Sequence, residues 1–225
     1  MQGAIKVKQA VRSLTPELIL RAYASGVFPM AESRWDPKLY WIDPDWRTVF
    51  PLDRFHVSRR LKRTVRADRF EIRIDTDFPA VIRACAVLGE QRQETWINAQ
   101  IVKLYTALHE AGHVHSVECW REERLVGGLY GLALGGAFFG ESMFSRERDA
   151  SKVALVHLHK RLCAGGYRLL DVQFMTSHLR QFGAVELPRA DYRALLREAL
   201  ETTANFYSSD EAAGACGTHS STQTS

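Results

Sequence analysis

The amino-acid sequence predicts a mixed α/β protein, in which a small N-terminal domain precedes a larger domain with a mixed sheet flanked by helices. Residues 114–120, 125–134 and 137–144 are predicted to form three successive strands, joined by turns of hairpin length. Helical spacing at 149–163 and an apolar strand at 169–174 follow, which makes a strand–helix–strand unit. A crossover of this kind makes its two strands parallel, with a right-handed connection.

The small N-terminal domain is predicted over residues 1–55. Thr15 supplies a hydroxyl N-cap and Pro16 occupies the first helical position, so a helix begins there and ends near Gly26. Four prolines and three tryptophans lie between residues 28 and 55, which predicts an irregular chain wrapped around aromatic anchors.

The larger domain is predicted over residues 56–205. Besides the elements above, the spacing of apolar residues predicts a strand and three helices, at 70–75, 78–88, 98–112 and 190–200. The last segment, 206–225, is rich in Ser, Thr, Ala and Gly, which predicts a disordered tail.

The overall composition is that of an ordinary globular protein, with 46% hydrophobic and 25% charged residues. No apolar run approaches the roughly 20 residues that span a bilayer, so no membrane partner is expected. Because no apolar stretch follows Lys6 and Lys8, we expect no signal peptide and a cytoplasmic location. The four cysteines are scattered and form no C-x-x-C pair, which favours reduced thiols.

A basic run lies between Arg54 and Arg69, where seven basic residues accompany a single acid, Asp68. The run is either a solvated helix face or a patch that binds phosphates, and its sequence alone fits both. A phosphate patch would lose its attraction as the salt concentration rises.

Residues 109–113 read His-Glu-Ala-Gly-His and match the zinc-protease signature H-E-x-x-H. That chemistry needs both histidines on one face of a continuous helix. Gly112 is a natural helix end, and residues 114–118 alternate as a strand, so His113 should lie past the helix. We therefore predict no metal site here.

An ordered series of motifs, from about residue 14 to 200, resembles the leucyl/phenylalanyl-tRNA–protein transferase family. The matching blocks are residues 26–30, 55–59, 95–97, 109–116, 125–131, 139–145, 149–152, 171–173 and 187–189. The resemblance implies a larger domain similar to the GNAT acetyltransferase fold. It also implies transfer of leucine or phenylalanine, less often methionine, from tRNA to proteins that begin with arginine or lysine. Such transfer marks the acceptor for N-degron degradation and uses no cofactor or metal.

The resemblance further implies that Asp171 polarises Gln173, which takes a proton from the attacking amine. Two residues apart on a strand, these side chains share one face. Because a glutamine amide is a poor base, we favour a role in orientation. In this role Gln173 accepts a hydrogen bond that orients the amine, and Asp171 fixes Gln173. The alternative is a buried pair that serves only the sheet.

Glu141 is predicted in a Gly-Glu-Ser turn beyond a strand, near the same end of the sheet as Gln173. A carboxylate there could contact the cationic side chain or the ammonium group of the acceptor. Capping of the following helix is the structural alternative.

Substrate-binding residues are carried over by resemblance, and each is also compatible with a core or surface position. The apolar donor pocket would be lined by Leu129, Phe138, Leu162 and Leu170. Trp41 and Trp96 would stack on the terminal adenosine of tRNA. The acceptor stem would be held by its phosphates, through Arg59, Arg60, Lys62, Arg63 and Arg66.

Two rival functions are less compatible with the sequence. An acyl-CoA-dependent acetyltransferase needs a glycine-containing pyrophosphate loop, whereas residues 145–150 contain no glycine. A non-enzymatic RNA-binding module would explain the basic run but not Glu141, Asp171 and Gln173 together.

Overall fold

A computed structural model describes residues 4–7, 14–87 and 94–208 of the chain. The described residues form ten strands, seven α-helices and a short 3₁₀ turn at Leu52–Arg54. In chain order these are β1 (Ala4–Val7), α1 (Pro16–Ala24), β2 (Phe28–Met30), β3 (Tyr40–Pro44), β4 (Trp46–Phe50), α2 (Arg59–Arg66), β5 (Glu71–Ile74), α3 (Phe78–Cys85), α4 (Ala99–Glu110), β6 (Val114–Arg121), β7 (Arg124–Leu134), β8 (Ala137–Ser145), α5 (Ala150–Ala164), β9 (Leu169–Gln173), α6 (Ser177–Arg180), β10 (Val185–Pro188) and α7 (Arg189–Leu200).

The predicted mixed α/β architecture is confirmed. A seven-stranded sheet has the order β10-β4-β9-β8-β7-β6-β5, and a small three-stranded sheet has the order β1-β3-β2. In the large sheet β8 and β9 are parallel, as the strand–helix–strand pattern predicts, and the other neighbours are antiparallel.

Strand β4 was not predicted, because the prolines and tryptophans around it indicated irregular chain. It pairs with β10 on one side and β9 on the other, so it belongs to the large sheet. Residues 47–50 are buried without the alternation of a half-exposed strand, since both faces of the sheet are covered. The domain boundary at residue 55 stays a prediction, but by its pairing β4 belongs with the larger unit.

The core has two parts. One buried cluster contains residues of α1, α3, α4 and α7, and the other contains residues of α2, α5 and α6. Successive β8 residues divide between them, with Phe139 in the first cluster and Phe138 in the second. This is the alternation that a strand covered on both faces produces.

The end of α4 confirms that the helix stops before His113, as predicted. Asn98 caps the helix through the backbone N–H of Ile101, and Gly112 has φ of +79° just beyond the helix end. His109 binds the carbonyl of Val114 and His115 binds Asp75, so these histidines serve the fold. No group of His, Cys, Asp or Glu suited to a metal ion occurs in the described residues.

The C-terminal residues of the described chain are packed rather than free. Phe206 is buried and stacks on His115 at 4.2 Å and on Phe138 at 5.5 Å between ring centroids. Residues 206–208, the start of the segment predicted as a disordered tail, are therefore ordered. The rest of that segment, residues 209–225, lies outside the described residues. Among the helices described, none is long and apolar enough to cross a membrane.

Two register features open the sheet at the carboxyl ends of β8 and β9. Their parallel pairing stops at Phe139 opposite Asp171, and beyond this point β8 pairs only with β7. The β7–β8 register shifts between Tyr130 and Gly131, where Glu141 is the extra residue, a β-bulge. The predicted turn at Glu141 is thus wrong, because the chain continues as a bulged strand.

Candidate active site

A cavity of about 300 Å³ lies where β8 and β9 part. Leu129 of β7 and Leu170 of β9, two of the residues predicted for the donor pocket, line its apolar wall together with Leu155 and Leu158 of α5. The position agrees with the tendency of ligands to bind at the carboxyl ends of parallel strands. Its volume is at the lower end of the range for small-molecule sites, about 300–1,000 Å³.

Two polar side chains, Glu141 and Gln173, meet at this cavity. The Gln173 amide lies 3.4 Å from Glu141 Oε1, and the Tyr23 hydroxyl donates to the same oxygen at 2.6 Å. The Tyr105 hydroxyl lies 2.5 Å from that of Tyr23 and 3.3 Å from Glu141 Oε2. The carboxyl group of Glu141 is therefore held by two phenols, and it does not cap α5.

The surroundings of Glu141 change its acidity. Burial of the carboxyl group raises its pKa to about 8, and the negative charge of Asp171 adds to the rise. The hydrogen bond from Tyr23, the charge of Arg47 and the hydrogen bond from Tyr105 oppose the rise without cancelling it. Such a carboxyl group exchanges its proton near neutral pH, which suits acid–base chemistry.

Asp171 does not face the cavity. It is fully buried, and its carboxylate binds Arg47 through two guanidinium nitrogens at 2.6–3.0 Å and accepts from the Tyr192 hydroxyl at 2.8 Å. It also accepts from the backbone N–H of Gln173 at 2.9 Å. The predicted link between Asp171 and Gln173 is therefore present, but it runs through the backbone of Gln173.

Arg47 is the buried cation that sequence reasoning missed, with a side chain only 1% exposed. Burial alone would lower the pKa of Arg47, but the ion pair with Asp171 raises it, so the guanidinium stays charged. A single arginine in the otherwise uncharged segment 46–52 was the available signal. Nothing in that segment indicated its partner.

The two tryptophans that were predicted to contact the adenosine lie in different places. Trp96 lines the cavity. Trp41 lies in β3, where it is half-buried and packs against the core, and it does not line the cavity. Met30 of the neighbouring strand β2 does line the cavity. Stacking of the terminal adenosine on Trp96 stays a prediction, and the geometry gives no support to Trp41.

Two of the predicted pocket residues lie elsewhere. Phe138 and Leu162 are fully buried in the second core cluster and do not line the cavity. Phe138 lies where β8 is still paired with β9, before the strands part. Leu162 lies one helical turn beyond Leu158 on α5, so the lining residues of that helix come from its earlier turns.

The predicted tRNA-backbone residues all lie on α2 and all are exposed, namely Arg59, Arg60, Lys62, Arg63 and Arg66. Arg60 and Arg63 line a surface hollow together with Arg69 and Arg148. Arg60 pairs with Asp149 at 3.3 Å, which connects the basic helix to the start of α5.

The chain matches two family models, which decide its membership. One is described as leucyl/phenylalanyl-tRNA protein transferase and matches residues 49–197, and the other as the N-terminal domain of that protein and matches residues 12–45. The chain belongs to the leucyl/phenylalanyl-tRNA protein transferase family.

Relatives named leucyl/phenylalanyl-tRNA–protein transferase are similar in sequence to this chain over most of its length. The Paramagnetospirillum magneticum protein is 61% identical over 87% of this chain and 94% of its own length. The Phenylobacterium zucineum protein is 63% identical over 87% of this chain and 88% of its own length. The Maricaulis maris protein is 57% identical over 96% of this chain and 100% of its own length. The chain is accordingly an aminoacyltransferase, and the cavity with Glu141 and Gln173 is its candidate active site.

Proposed function

We propose that this enzyme transfers leucine or phenylalanine, less often methionine, from aminoacyl-tRNA to a protein whose N-terminal residue is arginine or lysine. The observation that carries the proposal is an apolar cavity with a carboxyl group and an amide at its edge. The apolar part fits an apolar aminoacyl side chain, and the polar part fits an amine. The bond broken is the tRNA ester and the bond formed is an amide, so the reaction needs no ATP.

The donor side chain would occupy the wall formed by Leu129, Leu155, Leu158 and Leu170. Transfer of apolar area from water contributes about 25 cal/mol per Å², which favours leucine and phenylalanine over polar residues. Trp96 would stack on the terminal adenosine. Base–aromatic stacking is worth about 1–3 kcal/mol.

The acceptor amine would meet Glu141. An N-terminal amine has a pKa of about 7.7–8.0, close to the pKa of about 8 of Glu141. In its ionised form Glu141 would pair with the ammonium group and take one proton from it. The neutral amine would then attack the ester carbonyl carbon, and the departing 3′-oxygen of tRNA would take up the second proton from the nitrogen.

The acceptor side chain would be selected by charge. Glu141 lies beside the cavity and would attract cations in its ionised form, which favours acceptors that begin with arginine or lysine. Replacement Glu141→Gln prevents this ionisation and should reduce transfer to basic acceptors selectively.

Gln173 would orient the amine through its amide, whose carbonyl oxygen can accept a hydrogen bond from the nucleophile. Holding the amine and the ester together accelerates such reactions by up to about 7–11 kcal/mol in good geometries. The exposed basic residues of α2 would bind tRNA phosphates without reading sequence. Because the product carries a new apolar N-terminal residue, transfer would mark it for N-degron degradation in the cytoplasm.

The test supplies labelled Leu-tRNA, Phe-tRNA or acetyl-CoA to the enzyme with a peptide that begins with arginine. A peptide of the same sequence with an acetylated N-terminus is the matched control. We expect label in the free peptide only, and only from the charged tRNAs. Transfer from acetyl-CoA, or equal transfer to a peptide that begins with aspartate, would overturn the proposal.

A further inference from the structure

Gln173 has an unusual backbone conformation at the edge of the cavity. Its φ is +59°, in the left-handed region that residues other than glycine rarely adopt. The N–H of Phe174 donates to the carbonyl of Val172 at 2.7 Å, so Gln173 is the central residue of a γ-turn with positive φ, a rare and strained type. A strained residue persists only where its surroundings enforce it, and such residues cluster at functional sites.

The contact that enforces this turn comes from Asp171. Its Oδ1 accepts the N–H of Gln173 at 2.9 Å, which fixes the peptide plane on the N-terminal side of Gln173. The strand β9 ends at this residue, and its side chain reaches Glu141 at the cavity. A change in the plane of that peptide would swing the amide away from Glu141.

Asp171 is itself fixed by Arg47, which lies on the neighbouring strand β4. Arg47 lies two residues before Val49 on β4, and Val49 is the partner of Asp171, so Arg47 and Asp171 occupy the same region of the sheet. The guanidinium lies 4.4 Å from the ring centroid of Phe28 and 4.8 Å from that of Tyr192, and it donates to the carbonyl of Gly26. It is therefore held on several sides.

The same ion pair limits what Asp171 can do electrostatically. Its carboxylate lies 2.6 Å from a permanent cation and is fully buried outside the cavity lining. The positive charge of Arg47 opposes the field of Asp171, as it does at Glu141, so only the difference between the two fields acts on the side chain of Gln173. Asp171 acts as a hydrogen-bond acceptor with a fixed position.

We propose that Arg47 and Tyr192 are positioning residues for aminoacyl transfer, which act through Asp171 to hold Gln173 in its left-handed turn. Arg47 and Tyr192 orient the carboxylate, the carboxylate orients the N–H of Gln173, and the turn aims the Gln173 amide beside Glu141. This inference rests on the proposed function for the role of Gln173. It assigns Asp171 a role in geometry, whereas polarisation of Gln173 by the charge of Asp171 is the competing mechanism.

Two double variants separate these mechanisms. Both carry Arg47→Met, so that no buried cation is left unpaired, and they differ only at position 171. R47M/D171N keeps an oxygen that can accept the Gln173 N–H but has no charge. R47M/D171L has a side chain of similar shape with neither acceptor nor charge. R47M/D171A replaces the leucine variant if that variant does not fold.

The first readout is steady-state transfer, with kcat and the KM for aminoacyl-tRNA measured separately. We expect kcat to fall by less than about tenfold in R47M/D171N and by about 100-fold in R47M/D171L, the loss typical of a reacting group misplaced by about 1 Å. The KM for aminoacyl-tRNA should change by less than about threefold in both. An equal loss of kcat in the two variants would favour the charge of Asp171 and overturn the proposal. In R47M/D171N the Tyr192 hydroxyl still donates to the side chain at position 171, which is why we expect the smaller loss.

A triple variant, R47M/D171N/Y192F, tests the two positioning residues themselves. It keeps the acceptor at position 171 but lacks both groups that orient it, so its kcat should fall as far as that of R47M/D171L. A kcat equal to that of R47M/D171N would overturn the proposal.

The second readout needs no transfer activity. Hydrogen exchange of the Gln173 amide should stay slow in R47M/D171N and become faster in R47M/D171L, with the rest of β9 unchanged in both. Equal protection of the Gln173 amide in the two variants would overturn the proposal. If the wild-type enzyme transfers nothing, the proposed function fails, while exchange still decides whether Asp171 holds the turn.

Discussion

Glu141 shows how one residue acquires its chemistry from its neighbours. As an extra residue in β8 it leaves the regular pairing of the strand, and its carboxyl group lies against the hydroxyl groups of Tyr23 and Tyr105. Burial raises the pKa of this carboxyl group to about 8. A glutamate in the turn predicted from the sequence would be hydrated and would remain ionised at neutral pH.

The raised pKa predicts how stability depends on pH. Between the ordinary pKa of 4.5 and about 8, the folded protein holds a proton on Glu141 that the unfolded chain has released. The contribution of Glu141 to stability is thus fully present below about pH 4.5 and is lost as the pH rises through 8. Because glutamine does not titrate, Glu141→Gln should lose less stability than the wild type between pH 5 and 8. Parallel curves of the free energy of unfolding against pH would contradict this expectation.

Strands and helices set which residues line the cavity. The separation of β8 from β9 after Phe139 and Asp171 creates the cavity, and α5 covers it with Leu155 and Leu158. The next turn of α5 brings Leu162 into a closed core instead. One helix therefore contributes Leu158 to the cavity lining and Leu162 only to the core, so the two roles can be tested by separate substitutions.

A matched pair of variants on α5 tests this division. Leu158→Ala and Leu162→Ala each remove a buried leucine and should each reduce the free energy of unfolding by about 2–5 kcal/mol. Only Leu158→Ala enlarges the cavity, so only this variant should shift the ratio of kcat/KM values for Phe-tRNA and Leu-tRNA toward phenylalanine. Competition between the two charged tRNAs measures the ratio. The same shift in Leu162→Ala would show that the cavity does not select the donor.

At the scale of the whole molecule, charge is unevenly distributed although the net charge is only +4. Five exposed basic residues lie on the eight-residue helix α2, and Arg69 and Arg148 extend the basic surface beside it. In the proposed function, tRNA would contact this surface through its phosphates and the cavity through its aminoacyl end. A donor reduced to an aminoacyl-adenosine would contact only the cavity.

This difference predicts a dependence on salt and on donor size. Arg63→Ala combined with Arg66→Ala should weaken aminoacyl-tRNA binding and reduce the slope of log K against log salt, by up to about 0.9 for each phosphate that is no longer neutralised. Transfer from an aminoacyl-adenosine should stay unchanged. Arg197→Ala is a control that removes an exposed positive charge from α7, a helix that packs in the first core cluster, whereas α2 packs in the second. Equal effects of Arg63→Ala and Arg197→Ala on binding would indicate a general charge effect.

The order and type of most elements were predictable because their signals are local. Thr15, Asn98 and Gly112 mark helix ends through their own backbone and side-chain preferences, and the structure confirms each. The strand–helix–strand pattern likewise predicted that β8 and β9 are parallel. Strand β4 escaped prediction because its pairing partners, β9 and β10, lie more than a hundred residues away in the chain.

The sequence by itself determined the fold class, the family, the basic run between Arg54 and Arg69 and the position of Glu141 and Gln173 near the same end of the sheet. Only the tertiary structure decided that Phe138, Leu162 and Trp41 lie outside the cavity lining, since a pattern of apolar residues is the same for a core and for a pocket. It also decided that Asp171, 124 residues from Arg47, is locked to that residue by an ion pair. Contacts of this kind depend on which strands become neighbours in the sheet. The acidity and the orientation of a side chain depend on those contacts.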